Sequence, residues 1–143
     1  MKPQPKQTIF FIDRCLGKHP IVENLRAMGI TVEIHDNHFP QNTLDAEWIP
    51  KVGEWGWVIL TKDEQIARNT LERQAVTRAK IRMFTLASTK LTGEEIAIAF
   101  QKAIIPMLKF IEKNDPPFIA KVYRDGKVSA WKDAKSLIDE IIN

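Results

Sequence analysis

Two runs of bulky apolar residues in this chain lead to aspartates: Ile9-Phe10-Phe11-Ile12 before Asp13, and Trp57-Val58-Ile59-Leu60, then Thr61 and Lys62, before Asp63. Four apolar side chains in a row without alternation fit a strand buried on both faces, as in a parallel sheet. In open α/β sheets, ligands bind in the crevice beyond the carboxyl ends of such strands. Two neighbouring parallel strands would bring Asp13 and Asp63 out side by side. Carboxylates that close repel each other unless a cation lies between them or one keeps its proton. A third acid, Asp45, opens a helical segment. Right-handed crossovers return every helix start to that same edge. The three acids together predict a metal site. Glu47 follows Asp45 by two residues, so on a regular helix it points away. It joins the ligands only if the turn is irregular, which Pro50 permits.

Oxygen ligands suit Mg²⁺ or Mn²⁺. The acids have structural readings too. Asn42 with Asp45 resembles a capping box, and so does Thr61 with Glu64, which would leave Asp63 on the helix dipole. Asp13, at the end of a strand, has no such duty. His35, Asp36 and His38 match no standard zinc spacing and read as a strand end and turn, with His38 near the cleft. Cys15 heads no Cys-x5-Arg phosphate loop, and neither glycine-rich nucleotide motif is present.

The elements that would carry these acids follow from periodicity. After the first strand, His19 to Gly29 is helical, with Pro20 in its first turn and Gly29 as its cap. Thr31 to His35 alternates as a half-buried strand. Leu44, Trp48, Val52 and Trp55 recur at helical spacing around a kink at Pro50. The Trp57–Thr61 strand precedes a helix from Glu64 to Ala79. Met83 to Leu86 is a fourth strand, and Thr92 to Lys113 is a long helix bent at Pro106. This β-α repetition predicts an α/β layer fold with a mainly parallel sheet. Beyond Pro116-Pro117, Ile119 to Trp131 reads as a hairpin turning at Asp125-Gly126, and Asp133 to Asn143 as a closing helix.

The chain of 143 residues suits one domain, residues 1–143, with 116–143 as an appendage that covers the core. Its 44% hydrophobic and 27% charged residues are those of an ordinary soluble protein. No apolar run is long enough to span a membrane. The polar start lacks a signal core, and the single cysteine fits a reducing cytoplasm. The net charge of +3 is concentrated between Lys62 and Arg82, where six basic residues face three acidic ones. That segment is either a solvated helix face or a strip that guides a polyanion toward the acids.

Several segments carry a family likeness. Ile9–Asp13 with the following Lys18-His19-Pro20 helix, Asp45-Ala46-Glu47-Trp48, and Gly56 to Asp63 with its strand-end Thr-Lys-Asp resemble the PIN-like ribonuclease superfamily. The nearest likeness is the branch with the "lTkD" signature, which includes VapC-type toxins of bacterial toxin–antitoxin pairs. The similarity spans roughly residues 8 to 90 and implies a three-layer α/β fold around a mainly parallel sheet. It also implies a Mg²⁺- or Mn²⁺-dependent endoribonuclease with Asp13, Asp45 and Asp63 at the family's acidic positions. The family's fourth acid has no clear counterpart, and Glu47, Glu64 or Glu72 could serve. Arg68, Arg73 and Arg78 would guide the RNA backbone. An antitoxin protein and a homodimer are the partners consistent with this reading. Three rival readings stand beside it. For a phospho-receiver domain, Asp13 lacks the acid neighbour expected on the first strand; for a haloacid-dehalogenase phosphatase, Asp13-Arg14-Cys15 stands where D-x-D is needed. A metal-free PIN-like binding module differs only in not cutting RNA.

Overall fold

The computed structural model describes residues 7–62, 69–88 and 90–142. Their strands form one six-stranded sheet in the order β2-β1-β3-β4-β5-β6. The strands are β1 (Ile9–Ile12), β2 (Thr31–Ile34), β3 (Val58–Thr61), β4 (Arg82–Leu86), β5 (Phe118–Val122) and β6 (Val128–Lys132). The first five run parallel, and β6 returns antiparallel to β5. The helices are α1 (Ile21–Ala27), α2 (Asp45–Trp55), α3 (Thr70–Arg78), α4 (Gly93–Lys113) and α5 (Ala134–Ile142).

Side-chain alternation along each strand divides the interior into two cores, giving the expected three layers. Phe10, Ile12, Val58, Leu60, Phe84 and Val122 pack against α1 and α4. Phe11, Ile59, Met83 and Ile119 face the other way, onto Trp48, Ile49 and Val52 of α2, Val76 of α3 and Leu137 of α5. Both faces of β1 and β3 are therefore apolar because both are covered.

The helix ends follow local chemistry. The Asn69 side chain accepts hydrogen bonds from the Leu71 and Glu72 amides and starts α3. Thr92 and Glu95 form a reciprocal capping box that starts α4. The proposed box of Asn42 with Asp45 is not formed: Leu44 is the residue that precedes α2, and no side chain caps it. Pro50 and Pro106 lie inside helices that continue through them. The proposed box of Thr61 with Glu64 involves a residue outside the described ones.

The hairpin turns at Asp125-Gly126 as its sequence predicts. Its first arm, β5, also pairs in parallel with β4 along its whole length and is buried at Phe118, Ile119, Ala120 and Val122. Gly126 adopts φ +88°, and a Cβ there would lie 2.5 Å from the Cβ of Lys102 on α4. Only glycine allows the turn to lie this close to the helix.

Candidate active site at the carboxyl edge of the sheet

From β1 the chain first builds outward to β2 and then crosses back over β1 to begin β3. The direction of sheet growth thus reverses between β1 and β3, and the crevice of an open α/β sheet forms at such a reversal. Asp13 stands in that crevice. Its amide donates to the Leu60 carbonyl at 3.0 Å, which extends the β1–β3 ladder by one residue. Only 7% of Asp13 is exposed, and its side chain caps none of the single 3-10 turn (Arg14–Leu16) that follows.

Two side chains converge on one oxygen of this carboxylate. Thr61 Oγ1 donates to Asp13 Oδ2 at 2.9 Å. Cys15 Sγ lies 3.5 Å from the same oxygen, 3.3 Å from Thr61 Oγ1, and accepts the Lys62 amide at 3.4 Å. Burial, and then the charge of Asp13, push the Cys15 thiol up to about 12. It is therefore a neutral donor and not a thiolate.

Asp45 is the first residue of α2, and its Oδ1 accepts the Trp48 indole N–H at 2.8 Å. His35 is 3% exposed, its ring tilted against Phe11 and Phe39 and edge-on to Trp48. Burial lowers the His35 pKa most, while the charges of Asp13, Asp36 and Asp45 pull it back up. The imidazole feels both candidate catalytic acids. Asp36, next to it, is held by Arg14 at 2.6 Å and Lys18 at 2.9 Å, and hydrogen bonds from both keep its carboxyl below the usual range.

The other described candidates are scattered. Glu47 is exposed on α2, about 200° round the helix from Asp45. Asp63, Glu64 and Arg68 lie outside the described residues. Arg73 pairs with Glu140 of α5 at 3.0 Å, and Lys132 of β6 pairs with the same carboxylate. Arg78 is exposed in the last turn of α3, about 12 Å along the helix from its start. His38 pairs with Glu33 and lies against Trp55 and Trp57.

Sequence reasoning missed Thr61 as a partner of Asp13, having read it as a helix cap. The available signal was a lone hydroxyl ending an apolar run on the same face as Ile59. It also missed Thr85, whose buried Oγ1 has no hydrogen-bond partner among the described residues and which stands in register with Thr61. The donors on this edge are carboxylate and hydroxyl oxygens beside a thiol that keeps its proton, and that set fits a hard divalent cation better than a thiophilic one. Among the described residues, no three His, Cys, Asp or Glu side chains are grouped to hold a metal ion. Of the predicted set, Asp13, Asp45 and Glu47 are described, and Glu47 points away from Asp45. Among the described residues, no helix is long and apolar enough to cross a membrane.

Residues 8–88 match the family described as PIN like domain. Over 117 residues the chain is 31% identical to a Mycobacterium tuberculosis protein named "Putative ribonuclease VapC45", covering 79% of this chain and 84% of that protein. No solved structure matches significantly. The matched segment contains β1 to β4, and with them Asp13, Asp45 and Thr61; the chain belongs to the PIN-like domain family.

Proposed function

We propose that this protein is a Mg²⁺- or Mn²⁺-dependent endoribonuclease and the toxin of a toxin–antitoxin pair, with Asp13, Asp45 and Asp63 as its catalytic acids. The observation that carries the reading is the buried Asp13 carboxylate at the β1–β3 reversal, oriented by Thr61. Family membership and the name of the mycobacterial relative support it.

In this reading Asp13, Asp45 and Asp63 hold the cation. When bound, it supplies an activated water and offsets the charge that builds on the scissile phosphate. Thr61 and Cys15 keep the Asp13 carboxylate in one orientation, so that it need not reorganise during the reaction. Burial favours the neutral form of His35, so the imidazole near these acids does not cancel their charge. Arg68 and Arg78 steer the RNA backbone, and Arg73 joins them only by giving up Glu140. Glu47 is left out of the ligand set because α2 is regular at its start. The setting is the cytoplasm, and the protein partner is an antitoxin.

The test is cleavage of single-stranded and structured RNA by the purified chain with Mg²⁺, with Mn²⁺ and with EDTA. Metal-dependent cutting that disappears in Asp13→Asn is the expected result. Binding to RNA without cleavage would favour the metal-free module and overturn the enzyme reading.

A further inference from the structure

A hollow of about 1230 Å³ lies between α4 and the β5–β6 hairpin. Ala87 and Ser88, which leave the carboxyl end of β4, form one wall; Lys102 and Pro106 of α4 form another; and Tyr123 and Lys127 of the hairpin close it. It therefore opens on the edge of the sheet that carries Asp13. From β1, across β3 and β4 to β5, is about 15 Å at ordinary strand spacing.

Apolar Ala87, Pro106 and Val128 share the lining with the acid Asp125, basic side chains and one aromatic ring. Tyr123 is 40% exposed, and Ser129 donates to its hydroxyl at 3.4 Å, which ties down the ring. Lys102 makes no ion pair among the described residues. Lys127 has only Asp125, at 3.8 Å, and Arg124 is paired with Glu95. Two lysines beside an aromatic face, with serine hydroxyls at either end, match the needs of a single strand of RNA. Its bases stack on aromatic rings, its phosphates seek cations, and its 2′-hydroxyls seek polar partners. The surface is also preformed, because the turn at Gly126 lies directly against α4 at Lys102.

Resting on the ribonuclease reading above, we propose that this groove seats the single-stranded RNA to one side of the cleaved bond. A base stacks on Tyr123, and Lys102 and Lys127 contact the phosphates on either side of it.

The experiment first measures cleavage by the wild-type chain in Mg²⁺. It then titrates the full-length Asp13→Asn protein against a fluorescein-labelled oligouridylate and a mixed-sequence single strand at several salt concentrations. Tyr123→Ala should weaken both probes about ten-fold, while Tyr123→Phe binds like the parent. Lys102→Ala with Lys127→Ala should weaken both probes and lower the slope of log affinity against log salt by about two. Affinities and slopes unchanged in all these variants would overturn the groove as an RNA seat. If wild-type cleavage is intact in that case, the ribonuclease reading survives alone. If the wild-type chain neither cuts nor binds RNA, both fall.

Discussion

Thr61 Oγ1 donates a 2.9 Å hydrogen bond to Asp13 Oδ2, fastening together the carboxyl ends of two strands across 48 residues of sequence. Thr61 is fully buried and Asp13 nearly so. Thr61→Val keeps the side-chain shape but removes the donor from a buried carboxylate. It should destabilise the fold by about 1–3 kcal/mol in urea unfolding. Cleavage should fall further than stability accounts for, and Thr61→Ser should restore most of it. Full activity in Thr61→Val would show that Asp13 needs no such orientation.

Asp13→Asn should abolish RNA cleavage while leaving the circular-dichroism spectrum unchanged. The amide preserves the shape and can still accept from Thr61, but it lacks the charge that a hard cation needs. Removing the charge of a buried carboxylate should also leave the melting temperature in EDTA equal to or above that of the parent. Undiminished cleavage would exclude Asp13 from the chemistry.

Cys15 should react slowly with iodoacetamide at pH 8 in EDTA, since its thiol is pushed up to about 12. The folded chain holds this proton more tightly than the unfolded chain, whose thiol titrates near its ordinary value of 9.0. The resulting stability is complete below that ordinary value and is lost as pH rises toward about 12. Melting temperatures across that range should therefore decline less steeply in Cys15→Ser than in the parent. Rapid alkylation of the folded protein would contradict the burial that raises the thiol.

Arg73 and Arg78 should separate in their effects. Arg73→Ala breaks the pair with Glu140 and should cost about 0.2–1 kcal/mol of stability. Arg78→Ala, at an exposed helix end, should leave stability alone and reduce the salt slope of RNA binding by about one. An unchanged slope in Arg78→Ala would return it to an ordinary solvated side chain.

Gly126→Ala should be the most damaging change in the hairpin. It forces a Cβ to within 2.5 Å of Lys102 Cβ and 2.9 Å of that residue's backbone carbon, at φ +88°. Crowding of this kind costs about 1–3 kcal/mol. Equilibrium unfolding measures that cost, and a wild-type midpoint would mean that the turn relaxes away from α4.

The parallel strands were legible because burial on both faces leaves unbroken apolar runs, as in Phe10-Phe11-Ile12 and Val58-Ile59-Leu60. Thr92 and Glu95 announced their helix start in full, since a capping box is a local signal. The pairing of β5 with β4 was not legible. Asp125-Gly126 fixes the turn but says nothing of the neighbour on the far side of the strand. Leu44 before α2 carries no capping side chain, so the Asn42 signal misled. Asp13 could be found from its position alone. Its hold by Thr61 and Cys15 could not, because it depends on which strands lie side by side. Arg73 looked like a guiding cation because the sequence does not reveal that α5 packs on α3 and supplies Glu140.

The amide of Asp13 is itself fixed by Leu60, so the crevice comes into being only when β3 docks against β1. Helical turns form within about a microsecond, whereas pairing between segments distant in sequence waits on the closure of a long loop. After dilution from urea, RNA cutting should therefore return later than the helical signal. During synthesis, a nascent chain carries Asp13 well before it carries the strand that orients it, and the carboxylate is fixed only once that strand has emerged and paired.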